Sequence, residues 1–337
     1  MSVRQQKQDE QEEGDQQQQQ QQQRQQAEEQ LSQQPDQLEQ PNQRQLDQTT
    51  AAVIEIAQSN SQSQARKSEP ILQAKFATAT KNSDNNMIKI KRPKAIILDI
   101  EGTTTSATYY PSAVAPYIRN NTENYLKSHW SEEHVQSIVR DLRQQANQNP
   151  SMPKILDKGD GATLGEIQRS CLLHIEFLYR TNTTTIALLY FQMYVWLDGQ
   201  MKGVLKTHIF RDVAEMIYKW KVEEHIAVYI YSSARADVQM LMFACTEYGS
   251  LLHLIDGHFD SKIGAKTTNE TYNRIAQAIA QPPQSIAFFT DDAKEARSAK
   301  SCGYKVVLVK RERKSFSPIE AAQFDIVNSF DKVKFYD

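Results

Sequence analysis

Lys94-Ala-Ile-Ile-Leu-Asp-Ile-Glu-Gly-Thr-Thr-Thr-Ser106 decides the architecture. Ala95 to Leu98 form an unbroken apolar run that ends on Asp99, the pattern of a strand buried on both faces of a parallel sheet. A carboxylate at the carboxyl end of such a strand faces the crevice where open α/β sheets bind their ligands. Asp99 and Glu101 stand two apart, so a persisting extended backbone puts both side chains on one side. Two carboxylates there repel unless a cation lies between them. Gly102 permits a sharp turn, and Thr103, Thr104 and Thr105 then offer hydroxyls and backbone N–H groups to an anion. The alternative reading of the same residues is a strand end followed by a solvated acidic turn.

Composition narrows the part of the chain that can fold. Of 337 residues, 1–65 are dominated by Gln, Glu, Asp and Ser, with an unbroken Gln16–Gln23 run. Such a segment has too little apolar surface to offset the entropy of ordering it, which predicts a disordered Gln-rich tail over 1–87. The formal net charge of −2 gives no polyelectrolyte character, so no nucleic-acid partner is expected. No run of about eighteen apolar residues occurs, so neither is a membrane span. Cys171, Cys245 and Cys302 are odd in number and far apart, the usage of reduced thiols in an intracellular protein. Met87–Lys94 is a basic cluster, read as a solvated lead-in to the first strand, with a nuclear-localisation patch as the alternative.

Beyond the Thr loop, helical signals follow in series. Ser131 is a candidate cap ahead of Val135, Ile138, Val139 and Leu142, which fall on one helical stripe. Thr163-Leu-Gly-Glu166 has capping-box spacing, and Ile186, Leu189, Tyr190 and Met193 repeat the helical period until Gly199-Gln-Met-Lys-Gly203 breaks it. Helix and strand then alternate with short links: a helix through Val213 and Trp220, a strand Ile226–Tyr231, and a helix through Leu241. A loop at Asp256–Gly264, a second capping box at Thr267–Glu270, and strands Ser285–Thr290 and Lys305–Val309 complete the pattern. Alternation of that kind is the mark of a parallel sheet with right-handed crossovers. The expected domains are an α/β core at 88–109 and 206–337, with a helical cap at 110–205 inserted after the first strand and facing the strand ends.

Three buried strands therefore end in chemistry: Asp99 with Glu101, Ser232-Ser233, and Asp291-Asp292. Lys266 stands just before a helix. A parallel sheet brings all of these to one edge. Together they supply a carboxylate nucleophile, carboxylates for a hard cation, hydroxyls for an oxyanion, and a lysine beside a helix N-terminus that itself favours anions. Phosphoryl transfer through an aspartyl-phosphate fits this set, and magnesium suits it because it takes few carboxylates together with waters and substrate phosphate. Each piece has a plainer reading, with Ser232-Ser233 and Asp291-Asp292 as helix caps and Lys266 as a solvated surface lysine. His258 is the one histidine near these motifs and is expected to be structural.

The order Leu98-Asp-Ile-Glu-Gly-Thr-Thr-Thr105, Val228-Tyr-Ile-Tyr-Ser-Ser233, Asp256-Gly-His-Phe-Asp260, Lys262-Ile-Gly264 with Lys266, and Phe289-Thr-Asp291 resembles the haloacid-dehalogenase (HAD) superfamily. More narrowly, it resembles the enolase-phosphatases, or acireductone synthases, of methionine salvage, over about 95–335. The resemblance implies a Rossmann-like core with a helical cap and one Mg2+ per subunit. Asp99, Glu101 and Asp291 match the family's metal site; Ser232, Ser233 and Lys266 match its phosphate contacts. It makes Asp99 the nucleophile and Glu101 the general acid/base. The implied substrate is 2,3-diketo-5-methylthiopentyl 1-phosphate, enolised and then dephosphorylated to the acireductone by a cytoplasmic monomer. Ala234-Arg-Ala-Asp237 departs from the small residues that usually follow the two serines, and Asp292 stands where a small or apolar residue is usual. Two other readings remain: a HAD phosphatase of another small phosphorylated metabolite, and a diverged paralogue that acts as a binding protein.

Overall fold

The computed structural model describes residues 87–337, Arg313 apart. The readings of the Gln-rich tail lie outside the described residues. Six parallel strands form the central sheet in the order β4-β3-β2-β5-β6-β7. They are β2 Ala95–Leu98, β3 Ala227–Tyr231, β4 Gly257–Phe259, β5 Ile286–Thr290, β6 Lys305–Val309 and β7 Asp325–Val327. The apolar run expected to be buried is central: Ala95 to Leu98 are all 0% exposed, and Leu98 pairs with Ile230 on one side and Phe289 on the other. From β2 the chain builds outward to β3 and β4, then returns to add β5, β6 and β7 on the opposite side. The strand order thus reverses between β2 and β5, the place where open α/β sheets form their binding crevice.

Side-chain alternation along the strands feeds two separate cores, one on each face. Ile96, Leu98, Ile230, Phe289 and Val307 join Trp220 and Phe330 on one face. Ile97, Tyr231, Phe288 and Leu308 join Tyr272 and Ile275 on the other. Trp220 stacks on Phe330 with 5.5 Å between ring centroids. Side chains of this size each contribute up to about 3 kcal/mol when fully buried.

The long connection from β2 to β3 holds five α-helices, of which the first four are α1 Ala115–Ser128, α2 Glu133–Gln148, α3 Leu164–Arg180 and α4 Ile186–Met201. They pack on one another. The remaining helices are α5 Arg211–Tyr218, α6 Ala236–Ala244, α7 Asn269–Ala278, α8 Ala293–Ser301 and α9 Pro318–Gln323. None among the described residues is long and apolar enough to cross a membrane.

Several local expectations change. Ile88–Lys91, expected as a solvated lead-in, is strand β1, paired in parallel with β8 Val333–Tyr336 in a two-stranded sheet of its own. Its lysines face outward while Ile90 is 1% exposed, so a basic cluster conceals a period-two strand. The capping box at Thr163 forms, with Glu166 Oε2 accepting from the Thr163 N–H at 2.8 Å. The one expected at Thr267 does not: α7 begins after Thr268, whose hydroxyl binds the Ala265 carbonyl instead. Ser131 is no cap either, because α2 begins after Glu132, with no side-chain cap. The loop read at Asp256–Gly264 contains the edge strand β4. Helix α4 runs through Gly199 rather than stopping there. A Cβ at Gly199 would strike the Tyr117 ring, so this glycine serves close packing of α4 on α1. The turn comes later, at Gly203 with φ of 70°. The three cysteines are free, with Cys171 buried and the other two half-buried.

Candidate active site

Asp99 follows the last residue of β2 and is 5% exposed. Its backbone N–H donates to the Phe289 carbonyl of β5 at 3.0 Å, which fixes the carboxylate at the point where strand order reverses. Lys266 Nζ lies 2.5 Å from Asp99 Oδ1 and 2.9 Å from Glu295 Oε2. The Thr103 hydroxyl donates to Asp99 Oδ2 at 3.3 Å. Tyr272 OH holds the Lys266 carbonyl at 2.6 Å, and the Tyr231 ring centroid lies 5.6 Å from Nζ. Burial alone would lower the Lys266 pKa. Asp99 and Glu295 more than reverse this and hold it above the ordinary lysine value, so the ammonium stays charged.

Glu295 is a site residue that motif reading passes over. It sits in the first turn of α8, 9% exposed, and accepts from the Thr290 hydroxyl at 2.8 Å as well as from Lys266. In sequence it looks like part of the cap that Asp292 supplies. Asp292 does cap α8, with Oδ1 accepting from the N–H groups of Lys294 at 2.6 Å and Glu295 at 3.2 Å. Its plainer reading therefore holds.

Asp291 follows the last residue of β5, beside Asp99. Burial pushes its carboxyl up to about 6, with the Asp99 charge adding to the rise and Lys314 opposing it. Lys314 Nζ lies 3.0 Å from Asp291 Oδ2. Gly102 has φ of 72°, and a Cβ there would collide with the Asp291 carboxylate, so loop and carboxylate meet at a position only glycine fits.

The threonine loop does not present an anion cradle. The N–H groups of Thr103, Thr104 and Thr105 all converge on the Ile100 carbonyl, at 3.2, 2.9 and 3.0 Å. The Thr104 hydroxyl joins the same acceptor, and the Thr105 hydroxyl pairs with His208 Nδ1. All three threonines are at most 1% exposed. The turn at Gly102 folds these groups back onto the strand end, so they hold the loop and leave anion binding to others. Extended backbone also stops before Glu101, which is half-buried and bridges Thr105 through its backbone.

Ser232 and Ser233 follow β3 next to Asp99 in the sheet register. Ser232 is 7% exposed and its Oγ accepts from the Ala234 N–H at 3.2 Å; Ser233 is exposed. Arg235 forks onto Asp237 and donates to the Tyr190 hydroxyl at 2.5 Å, tying this loop to α4. His258, expected to bridge loop backbone, faces a side chain instead. Burial lowers its pKa to about 4, and Nδ1 faces Gln239 Oε1 at 3.3 Å. Gln239 Nε2 in turn binds the carbonyls of Ala234 and Phe259, bracing the serine loop against β4.

Among the described residues, no three of His, Cys, Asp and Glu stand close enough together to hold a metal ion. Asp99 and Asp291 do occupy neighbouring strand ends, as all-oxygen donors, and burial first and the Asp99 charge second raise the Asp291 pKa. A hard divalent cation that needs only one or two carboxylates, with waters and a phosphate completing its shell, fits that donor set.

The arrangement of β2, Asp99, Lys266 and Asp291 is that of a HAD-like hydrolase. The fold agrees with the crystal structure of the UTR4 protein from Saccharomyces cerevisiae, with a TM-score of 0.57 at 22% identity over 71% of this chain and 99% of that one. No family model matches the chain. In sequence, it is 35% identical to enolase-phosphatase E1 of Anopheles gambiae over 249 residues, 72% of this chain and 82% of the relative. It is 32% identical to enolase-phosphatase E1 of Danio rerio over 247 residues, 72% of this chain and 94% of the relative. The chain belongs to the enolase-phosphatase E1 family.

Proposed function

We propose that the chain is a magnesium-dependent enolase-phosphatase, acting on 2,3-diketo-5-methylthiopentyl 1-phosphate in methionine salvage. The observation that carries the reading is the buried Asp99 carboxylate, held at the β2 end by Lys266 and Thr103. Family membership supplies the substrate.

In the phosphatase step, Asp99 Oδ attacks phosphorus and the bond from phosphorus to the substrate oxygen breaks. The departing enol oxygen takes a proton from Glu101. Water, passing a proton back to Glu101, then cleaves the aspartyl-phosphate, returning Asp99 and releasing phosphate. Lys266 offsets charge on the transferring group, while Ser232 and Ser233 hold its oxygens. Asp99 and Asp291 would hold one Mg2+, which when bound would neutralise phosphate charge, while Glu101, expected as a third ligand, forms no three-carboxylate cluster with them and is kept as the acid. Helices α1–α4 act as the cap, and the Arg235–Tyr190 contact between α4 and the serine loop supports that role.

The test is phosphate release from the diketo-phosphate with magnesium and with chelator, while enol absorbance is followed. Magnesium-dependent release preceded by the enol signal is expected. Release without the enol points to another phosphorylated metabolite, and a folded protein that releases none is a binding paralogue.

A further inference from the structure

Arg311 follows β6 and is 7% exposed, the one buried arginine among the described residues. Its guanidinium forks onto Asp212 at the start of α5, with Nη1–Oδ1 at 3.0 Å and Nη2–Oδ2 at 2.7 Å. Nη1 also donates to the Asn328 carbonyl at 2.8 Å, and Nε donates to the Thr103 carbonyl at 3.3 Å. Phe210 and Phe330 flank it, with ring centroids 4.5 and 5.2 Å from Cζ. Asp212 Oδ2 accepts the Phe330 N–H at 2.7 Å, and the Phe210 N–H donates to the Thr104 carbonyl at 3.1 Å.

One assembly, built from the start of α5 and the C-terminal segment, therefore grips two consecutive carbonyls of the loop behind Asp99. Thr103 links the grip to the chemistry, because its own hydroxyl donates to Asp99 Oδ2. We infer that Arg311 is a positioning residue for the Asp99 carboxylate, acting through Thr103. The role needs arginine: a planar fork satisfies both Asp212 oxygens and still aims Nε sideways, whereas a lysine ammonium has no such geometry. The inference rests on Asp99 being the nucleophile, but adds a residue that touches neither substrate nor metal.

Arg311→Lys tests it in the full chain with magnesium, on the diketo-phosphate and on a simple aryl phosphate. A displaced nucleophile slows chemistry without loosening the phosphate grip, so kcat falls roughly 10- to 100-fold. KM and inhibition by inorganic phosphate change less than about twofold. Thr103→Val lowers kcat in the same way, and the double variant is no slower than the slower single one, because both changes break one chain of contacts. Should Arg311→Lys fail to fold, Asp212→Asn loosens the fork while leaving the arginine, and the same loss confined to kcat is expected. An unchanged kcat with a lower Tm makes Arg311 scaffolding only and overturns the inference. Losses that multiply in the double variant, or a rise in KM alone, overturn it as well. Wild-type release from the aryl phosphate alone refutes the substrate and leaves the Arg311 comparison in force. Release from neither refutes the nucleophile and the inference together.

Discussion

Lys266 Nζ lies between two buried carboxylates, 2.5 Å from Asp99 and 2.9 Å from Glu295. One cation thus serves a residue at the centre of the sheet and another on the helix that follows β5. The lysine side chain is 14% exposed. In such a setting, removing one partner costs far more than the pair itself contributes.

Lys266→Met should accordingly destabilise the protein by about 3–5 kcal/mol, because Asp99 and Glu295 are left facing each other without a cation. Adding Glu295→Gln should recover part of the loss. Denaturant midpoints of the two variants against wild type check this, and equal midpoints for the single and double variants would refute the shared-cation account. Phosphate release should fall in both.

Asp99→Asn keeps the shape and removes the nucleophilic oxygen. Release of phosphate should drop by roughly three orders of magnitude or more, with far-UV circular dichroism unchanged. Activity near wild type would exclude an aspartyl-phosphate.

Gly102→Ala carries two penalties: a left-handed backbone and a Cβ driven into the Asp291 carboxylate. A loss of at least about 1–2 kcal/mol is expected from the backbone alone. Displacement of Asp291 should weaken Mg2+ binding, measured by calorimetry on the metal-free protein. Unchanged affinity would separate Asp291 from the metal.

Burial lowers the His258 pKa from 6.5 to about 4. A histidine depressed in the fold takes up its proton more readily when unfolded, so it lends stability above pH 6.5 that is lost as pH falls toward 4. His134 and His174 are lowered mainly by burial and act in the same direction. His258→Gln should therefore flatten, without abolishing, the decline of Tm between pH 6.5 and 4. A profile parallel to wild type would show that the imidazole titrates freely.

How much was legible follows from how local each signal is. Ala95–Leu98 announced a central strand because four apolar residues next to a carboxylate suit few other environments, and Ile226–Tyr231 and Ser285–Thr290 read in the same way. Ile88–Lys91 stayed hidden because the residues that pair with it, Val333–Tyr336, lie at the far end of the chain. The capping boxes at Thr163 and Thr267 have equal spacing, yet only the first forms; in the other the helix begins one residue later, after Thr268.

The sequence by itself determined which groups gather: Asp99, Lys266 and Asp291 meet as read, because a parallel sheet brings its strand ends to one edge. Tertiary structure alone decided the partnerships. Lys266 found Glu295, Lys314 found Asp291, Arg311 found Thr103, and the threonine N–H groups turned back on Ile100. Strand burial and helix period are properties of neighbouring residues and can be read along the chain. Which charge faces which across a crevice depends on distances set only when remote segments pack.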